Sequence, residues 1–339
     1  MGRLKPGGVS RKALATAALA LLLSAVAAHA VTLFRAPYLQ DVRRNAAVVM
    51  WATVENGTGT VLYSTDKSFS RTATAAARVF TAAQTGYTVN SRLTDITQFE
   101  AQLTGLTADT TYFYRVQVNG QDALPASEVL SLRTAGSGPF TFLAFGDSGF
   151  ASLEQQNVFS AMSFENPALV LHTGDIAYLE GTYVQFRERY FDYYAGMMKR
   201  IPFYPIPGNH EYVTNNAAPY VALHALPPNG TPFDRNRYYS FDWSNVHFVG
   251  LDANLYLPPY CPDPRNCDPT LGAAFRRMLS WLDEDLAKSK LFWRVVYWHQ
   301  PPYAYGPNES DPLERQARDL IVPILEKHDV QLVDRKSVV

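Results

Sequence analysis

The chain has 339 residues, of which 47% are hydrophobic and 18% are charged, and its formal net charge is −1. This length predicts two folded domains, each with its own core. A net charge so close to zero gives no indication of a nucleic-acid partner or of binding to an anionic membrane. The 20 tyrosines and 19 phenylalanines favour structure rich in β-strands.

The N-terminus has the pattern of a secretory signal peptide. An apolar stretch, Ala13–Ala28, leads into Ala28-His29-Ala30, which fits a small-x-small cleavage pattern, so we expect residues 1–30 to be removed after Ala30. An uncleaved membrane anchor is the alternative, but the stretch is shorter than the ~20 residues that span a bilayer. The protein is therefore expected to be secreted or periplasmic, without a stable membrane span. The basic residues ahead of the stretch are Arg3, Lys5, Arg11 and Lys12.

Residues 31–135 have the pattern of an all-β domain. Ala46–Thr53 and Phe99–Leu103 are apolar runs, and the longer run Thr110–Val118 alternates between two faces. The residues that share one of these faces are Tyr112, Tyr114, Val116 and Val118. Short strands at this spacing predict a small sandwich.

The end of this region carries a more specific pattern. Leu103-x-Gly105-Leu106, followed by Thr110-x-Tyr112-x-Tyr114, resembles a fibronectin type III domain. Any tyrosine-rich antiparallel sheet is the alternative. Ala135-Gly136-Ser137-Gly138-Pro139 then predicts a flexible linker to the next domain.

From Pro139 to Val333 strands alternate with helical segments, which predicts an α/β domain of packed layers. Ser152–Gln155 and Thr182–Gln185 have the spacing of capping boxes at helix starts. Asp311-Pro312 is a third helix start, and Pro323 is expected to kink that last helix. Two apolar runs separated by Ser244-Asn245 predict a hairpin of Tyr238–Trp243 and Val246–Leu251.

The chain has two cysteines, Cys261 and Cys267, in a loop rich in proline and aspartate. In an exported chain a C-x5-C pair predicts a local disulfide. The absence of a nearby histidine in the sequence argues against a zinc site.

Polar side chains that bind metals follow four apolar runs. Asp147, Asp175, Asn209 and His299 each come after the end of a predicted strand, and Gly146, Gly174 and Gly208 directly precede three of them. Because ligands bind beyond the carboxyl ends of strands in α/β sheets, these four side chains are expected to converge. The glycines allow tight turns and a close approach of the backbone.

The residue types favour a pair of metal ions. Carboxylate, amide oxygen, imidazole and the phenol of Tyr178 suit Fe, Mn or Zn. Two such ions, bridged by a carboxylate, polarise a phosphoryl oxygen and activate a water molecule. Taken singly, each residue has an ordinary alternative as a turn residue, a helix cap or a core histidine. Histidines without motif support are expected to have structural or surface roles, and these are His172, His224, His247 and His328.

The ordered set of motifs resembles the metallophosphoesterase signature. It consists of Gly146-Asp147, Gly174-Asp175-x-x-Tyr178, Gly208-Asn209-His210-Glu211 and His299. The tyrosine three residues after the second aspartate makes the pattern similar to that of purple-acid-phosphatase-like enzymes. Those enzymes also carry an N-terminal fibronectin-like domain. The fold that the resemblance implies is an all-β sandwich, residues 31–135, followed by an α/β metallophosphoesterase domain, residues 139–333, that is incomplete at its C-terminus.

The resemblance also implies roles for the site residues. Asp147, Asp175 and Tyr178 would hold Fe(III), with Asp175 as the bridge, and Asn209 and His299 would help to hold Fe(II), Zn(II) or Mn(II). We expect Asp175 and Tyr178 to reach one ion because residues three apart in a helical turn share a face. A metal-bound hydroxide would attack phosphorus in line. His210 would protonate the leaving group or stabilise its charge.

The resemblance stops before the end of the chain. The family closes its site with a Gly-His-x-His loop after the strand that is predicted here at Val330–Val333, and this sequence ends instead with Asp334–Val339. These residues can be encoded by GAT CGG AAG AGC GTC GTG, which resembles a common short-read sequencing adapter. We therefore expect residues 334–339 to be an artefact and the natural protein to continue with the missing histidines. A genuine truncation is the alternative.

The resemblance predicts an exported acid phosphatase that hydrolyses phosphate monoesters, with no nucleic acid as a binding partner. A phosphodiesterase or nucleotide hydrolase on the same scaffold is one alternative, since the motifs specify the metals and not the leaving group. A non-catalytic binding protein is another, if the truncation is real. The sequence carries no prediction of oligomeric state.

Overall fold

The computed structural model describes residue 2, residues 31–304 and residues 311–335. The expected leader and its cleavage site, residues 3–30, lie outside the described residues. So do residues 336–339 of the expected artefactual tail.

The first domain is built from ten strands. Two layers are formed, with strand orders β1-β2-β7-β4 and β4-β3-β8-β10, and β9 extends the second layer beside β8. β4 belongs to both layers because its first residues pair with β3 and its last residues pair with β7. The strands are β1 (Leu33–Gln40), β2 (Ala46–Thr53), β3 (Gly59–Ser64), β4 (Arg71–Phe80), β5 (Thr88–Val89), β6 (Arg92–Leu93), β7 (Ile96–Thr104), β8 (Thr111–Val118), β9 (Gln121–Asp122) and β10 (Leu130–Arg133).

The sandwich expected from the sequence is confirmed. In β8 the predicted inner face is the buried face, since Tyr112, Tyr114, Val116 and Val118 are each at most 3% exposed. Phe99 of β7 packs on Trp51 of β2, with ring centroids 5.1 Å apart. Its ring also lies against Gly59 of the opposite layer, where a Cβ atom would come within 2.3 Å of it. The core therefore fills the space between the layers.

The described residues of the second domain form two sheets. The first is parallel, with β11 (Phe142–Phe145), β12 (Leu169–His172) and β13 (Phe203–Pro205) in chain order. In the second, the antiparallel hairpin of β14 and β15 continues into the parallel strands β16 and β17. The strands of this second sheet are β14 (Tyr239–Trp243), β15 (Val246–Gly250), β16 (Trp293–Tyr297) and β17 (Leu332–Asp334). The α/β domain and its predicted hairpin are thus confirmed.

Helices lie between these strands. The described part of the chain contains no helix with the length and apolar composition of a membrane span. The α-helices are α1 (Ala82–Thr85), α2 (Leu153–Met162), α3 (Tyr183–Phe186), α4 (Asp192–Met198), α5 (Asn209–Tyr212), α6 (Ala218–Leu223), α7 (Pro269–Lys288), α8 (Pro312–Gln316) and α9 (Val322–Lys327). Arg187–Phe191 and Ala317–Ile321 are π-helical, and Pro232–Asp234 and Pro264–Asn266 are 3₁₀ turns.

The predicted helix starts are observed, with one difference. Thr182 and Gln185 form a complete capping box. At α2, the Ser152 side chain accepts from the Gln155 amide, but the Gln155 side chain accepts from the amide of Ala151 instead of that of Ser152. Near Pro323, which has no amide to donate, the helix has π-helical geometry over Ala317–Ile321.

The two domains share one hydrophobic core, which contains Trp51 of the first domain and Phe203 of the second. Side chains also cross the boundary through hydrogen bonds. The Tyr38 hydroxyl donates to the carbonyl of Leu223 at 2.7 Å, and the Tyr114 hydroxyl donates to that of Lys199 at 2.6 Å. The first domain is therefore packed against the second over a buried surface, beyond the covalent linker.

Cys261 and Cys267 are joined in a disulfide, with Cα atoms 5.6 Å apart. The bridge lies next to the Pro264–Asn266 turn, directly before α7.

Candidate metal centre

Four of the predicted site residues follow the carboxyl ends of strands in the two sheets of the second domain. Asp147 follows β11, Asp175 follows β12, Asn209 follows β13 at the start of α5, and His299 follows β16. All four strands are parallel to a neighbour within their own sheet, so their carboxyl ends meet at common edges. Ligand atoms of Asp147, Asp175 and His299 lie within 4.8 Å of one another. The fold thus brings together residues that span more than 150 positions of the sequence.

The phenol of Tyr178 joins the two aspartates. Its hydroxyl lies 3.0 Å from Asp147 Oδ1 and 2.8 Å from Asp175 Oδ2. Burial, together with the charges of Asp175 and Asp147, raises the pKa of Tyr178 far above its ordinary value. In this arrangement the phenol therefore keeps its proton and is a hydrogen-bond donor to the carboxylates.

Asp175 is fully buried, yet its environment favours the carboxylate. Burial alone would raise its pKa, but the hydrogen bond and charge of His299, the His210 amide and the Tyr178 phenol outweigh burial. The net effect is a pKa well below the ordinary value for aspartate. The site thus has a buried anion at its centre.

His299 is held in one tautomer. Its Nδ1 lies 2.8 Å from the carbonyl oxygen of Thr173, which can only accept, so Nδ1 carries a proton. Nε2 lies 3.1 Å from Asn209 Oδ1 and 3.3 Å from Asp175 Oδ2. Nε2 therefore faces oxygen atoms of both residues, so His299 and Asp175 could hold one cation between them.

The backbone at the aspartates is in the left-handed region. Asp147 has φ 53° and Asp175 has φ 52°, and Gly174 between the loops has φ 96°. A Cβ atom on Gly208 would come within 2.2 Å of the amide and the carboxylate of Asp175. Residues other than glycine at 174 and 208 would therefore push the two loops apart. Unfavourable backbone conformations of this kind are common at functional sites.

The prediction that Asp175 and Tyr178 lie in one helical turn was wrong. Residues 175–178 form an irregular loop and a turn, and with Asp175 at positive φ they do not form a helical turn. Tyr178 reaches Asp175 because the loop folds back over the carboxylate, where the Tyr178 amide donates to the carbonyl of Gly149 at 3.1 Å.

His210 lies at the edge of this group and is half-buried. Its amide donates to Asp175 Oδ1 at 3.0 Å, and its ring packs edge-on against Tyr178 with centroids 4.4 Å apart. Its Nδ1 donates to the carbonyl of Leu179 at 2.6 Å, since that oxygen can only accept. Nε2 is then the ring nitrogen that remains for proton exchange with a ligand.

Glu211 supports the site, and the sequence did not predict this role for it. Its buried carboxylate accepts from the amides of Ile176, Ala177 and Gly208 at 2.8–2.9 Å. It thereby ties the loop that carries Asp175 to the loop that carries Asn209. Burial first, and then the nearby Asp175 charge, raise its pKa, although these amides act in the opposite direction. The available signal was its position three residues after Gly208, where a glutamate reaches back to the start of a helix.

His172 is a second residue that supports the site without being a proposed ligand, and it is fully buried. Its Nδ1 accepts from the amide of Gly174 at 3.2 Å, so Nε2 carries the proton and donates to Ser148 Oγ at 2.9 Å. Burial is the main reason why its pKa is lowered to about 3, so the ring stays neutral. The expected structural role of His172 thus takes the form of a link between the loops after β11 and β12. The sequence carried no signal for it.

The donor atoms of these residues fit a metal centre and fall into two groups that overlap at Asp175. Asp147, Tyr178 and Asp175 form one group of oxygen atoms, and Asp175, Asn209 and His299 form a second group of oxygen and nitrogen atoms. Asp175 Oδ2 is common to both groups, at 2.8 Å from Tyr178 and 3.3 Å from His299. This donor set suits Fe, Mn or Zn.

Two family matches cover nearly all of the described chain. Residues 37–134 match "Purple acid Phosphatase, N-terminal domain", and residues 140–333 match "Calcineurin-like phosphoesterase". The order of the two matches is the order of the two domains in the structure.

Two curated relatives are purple acid phosphatases by name. The chain is 26% identical over 282 residues to "Probable inactive purple acid phosphatase 9" of Arabidopsis thaliana, covering 68% of this chain and 40% of that protein. It is 27% identical over 237 residues to "Purple acid phosphatase 15" of the same plant, covering 60% of this chain and 41% of that protein. The chain thus spans less than half the length of these curated relatives.

A solved structure supports the fold. "Structure of PhoD" superposes with a TM-score of 0.57 at 15% identity, over 88% of this chain and 70% of that chain. At this identity the likeness concerns the fold alone. Because the second family match, residues 140–333, makes up more than half of the 339 residues, the chain belongs to the calcineurin-like phosphoesterase family, in its purple-acid-phosphatase-like form.

Proposed function

We propose that this protein is an exported acid phosphatase that hydrolyses phosphate monoesters at a dinuclear metal centre. The observation that carries the proposal is the position of Asp175 between Tyr178 and His299, with its carboxylate common to two groups of ligand atoms. The family implies a dinuclear centre, and a shared carboxylate is what two closely spaced cations require. Export is inferred from the leader pattern of residues 1–30.

Each ion is assigned a set of residues, and Asp175 belongs to both sets. Asp147, Tyr178 and Asp175 would hold Fe(III), and Asp175, Asn209 and His299 would hold Fe(II), Zn(II) or Mn(II). When bound, the ions would supply the Lewis acidity that polarises a phosphate ester and activates the attacking water. Hydrogen bonds to the Thr173 carbonyl and from the His210 amide fix the orientations of His299 and Asp175 before any ligand arrives.

His210 is the proposed proton donor to the leaving group. Its ring lies against Tyr178 at the half-exposed edge of the site, with Nδ1 occupied by the Leu179 carbonyl. Nε2, when protonated, would give its proton to the departing alcohol oxygen and so prevent the release of a strongly basic alkoxide.

A non-catalytic phosphate-binding protein is the second candidate. It is favoured by a relative whose name includes "Probable inactive", which is 26% identical to this chain. Such a protein would keep the metal ligands and bind phosphate without turnover.

Asp175→Asn tests the proposal. We expect the natural protein to bind about two metal ions per chain and to hydrolyse phenyl phosphate, and the variant to lose its metal and at least ~100-fold of its activity. Metal content is measured by mass spectrometry of the protein and activity by phosphate release. Glu165→Gln is the matched control, since Glu165 is an exposed carboxylate of the same domain.

Three results separate the candidates. Full activity in Asp175→Asn would refute the metal assignment. Metal binding without hydrolysis in the natural protein would favour the non-catalytic candidate. A natural protein that hydrolyses phosphate esters without bound metal would exclude both candidates.

A further inference from the structure

The loop after β15 contacts the backbone around the metal centre, and the proposed mechanism does not use it. β15 runs parallel to β16, so this loop, residues 251–255, leaves the sheet at the same edge as His299. Two of its polar side chains are buried, with Asp252 at 0% and Asn254 at 3% exposure. Because buried polar groups are costly unless they are hydrogen-bonded, the partners of these two side chains show what the loop holds in place.

Asn254 links the two loops that carry the proposed ligands of the second metal ion. Its Nδ2 donates to the carbonyl of Pro207 at 3.0 Å, two residues before Asn209. Its Oδ1 accepts from Gln300 Nε2 at 2.5 Å, and Gln300 directly follows His299. One buried amide thus fixes the backbone ahead of Asn209 and a side chain next to His299. The facing atoms of Asn209 and His299 lie 3.1 Å apart.

Asp252 holds the far end of the short helix that Asn209 begins. Its Oδ2 accepts from the Tyr212 hydroxyl at 2.6 Å, and Tyr212 is the last residue of α5. Arg237 lies 3.2 Å from the same carboxylate and balances its buried charge. Asp252 Oδ1 in turn accepts from Asn254 Nδ2 at 3.2 Å, which fixes the orientation of that amide. The loop after β15 therefore holds α5 from both ends.

We propose that Asn254 is a positioning residue for the second metal ion, the one assigned to Asn209 and His299. This inference rests on the proposed function, because it concerns the same dinuclear centre. In the described part of the chain, the side-chain hydrogen bonds of Asn254 go to residues 207, 252 and 300, and none goes to the loops that carry Asp147 and Tyr178. Loss of Asn254 therefore affects the second ion and leaves the first in place.

Asn254→Ala in the natural protein, loaded with Fe(III) and Zn(II), tests this role. We expect zinc to bind about 10–100-fold more weakly, as is typical when a residue that orients metal ligands is removed, and the iron content to be unchanged. Zinc affinity is measured by dialysis against a zinc-buffering chelator. Iron and zinc contents are determined on the same samples by elemental mass spectrometry.

Tyr212→Phe is a milder variant of the same network. It keeps the ring and removes the donor to Asp252, so it should weaken zinc binding in the same direction but by less than Asn254→Ala. If Asn254→Ala does not fold, Tyr212→Phe decides between the outcomes.

Asn236→Ala is the matched control, because Asn236 is also a buried asparagine with three hydrogen bonds to backbone. Its Nδ2 donates to the carbonyls of Val221 and His224, and its Oδ1 accepts from the amide of Leu226. We expect Asn236→Ala to lower the stability of the protein as Asn254→Ala does, while its zinc affinity stays that of the natural protein.

Four results separate the inference from its alternatives. Unchanged zinc affinity in Asn254→Ala would overturn it. Equal loss of iron and zinc, or equal weakening of zinc binding by Asn236→Ala, would also overturn it and assign Asn254 to folding. A natural protein that binds a single metal ion would refute the inference together with the proposed dinuclear centre. Selective loss of zinc, in a protein that binds both metals but hydrolyses no phosphate ester, would support the inference and refute the proposed catalytic function.

Discussion

At the scale of single residues, Glu211 does the most to hold the candidate site together without being a proposed ligand. One of its oxygens accepts from two amides of the loop that carries Asp175, and the other accepts from the amide of Gly208. All three partners are backbone donors, so only a side chain with two acceptor oxygens satisfies them. Glu211 is therefore a positioning residue for Asp175 and Asn209.

Glu211→Gln tests this role. Glutamine replaces one acceptor oxygen with an NH₂ group, which would face an amide donor and lose that hydrogen bond. Because a hydrogen bond to a buried charge contributes ~1.5–3 kcal/mol, we expect the free energy of unfolding to fall by about 2–3 kcal/mol. We also expect weaker metal binding at temperatures where the variant remains folded.

Glu180→Gln is the control, since Glu180 is exposed and follows Asp175 in the same loop. The two measurements are urea unfolding and metal affinity by competition with a chelator. If the two variants behave alike, Glu211 does not position the ligands. Loss of stability with unchanged metal affinity would restrict Glu211 to folding.

At the scale of secondary-structure elements, His247 connects the β14–β15 hairpin to α7. Its Nδ1 lies 2.7 Å from Asp242 in β14, and its Nε2 lies 2.9 Å from Asp285 in α7. Both partners are carboxylates, so both ring nitrogens are donors and the ring is an imidazolium. Burial opposes this charge, but the hydrogen bonds to Asp242 and Asp285 prevail and raise the pKa of His247 to about 9.

This pKa predicts a stability that depends on pH. The folded-state pKa lies above the ordinary value of about 6.5, so the contribution of His247 is complete below pH ~6.5 and is lost as pH rises through about 9. Because Asp242 is 61% exposed and screened by water, we expect a contribution of about 2 kcal/mol. Urea unfolding at pH 6 and pH 9.5 measures it.

His247→Gln keeps hydrogen-bonding capacity without the charge. The stability difference between the natural protein and this variant should shrink by about 2 kcal/mol between the two pH values. A difference that is the same at both would show that His247 is not charged in the folded protein.

At the scale of the whole molecule, the two domains are packed around a shared hydrophobic core. Tyr38 and Tyr114 of the first domain donate to carbonyls of the second, and Tyr204 of the second donates to the carbonyl of Val42 at 2.8 Å. These bonds cross a continuous hydrophobic core. Domains that share a core this way lose burial together, so neither is expected to unfold while the other remains native.

We therefore expect a single unfolding transition. Tyr114→Phe should lower the free energy of unfolding by about 1–2 kcal/mol, because the Lys199 carbonyl loses its donor, while the transition stays single. Calorimetry and circular dichroism measure this, with Tyr303→Phe as the control because Tyr303 is 61% exposed. Two separate transitions in the natural protein would contradict a shared core.

Much of this architecture could be read from local patterns in the sequence. Alternation in Thr110–Val118 predicted the buried face of β8, and the spacing of Thr182 and Gln185 predicted a cap that forms as expected. These patterns can be recognised in the sequence because they depend on the periodicity of a strand or on contacts between residues three apart. The proposed ligands were visible for a related reason, since polar residues interrupt the sequence at the end of apolar strands.

The tertiary structure alone decided which atoms meet. Glu211 accepts from the amides of Ile176 and Ala177, about 35 positions away, and His172 joins loops that follow different strands, so no local pattern could predict these contacts. The contact of Tyr178 with Asp175 arises from a loop with a left-handed aspartate, where sequence spacing suggested a helical turn. The spacing of apolar residues along the sequence determines the helices and strands. The distances between loops depend on how the sheets pack, which that spacing does not specify.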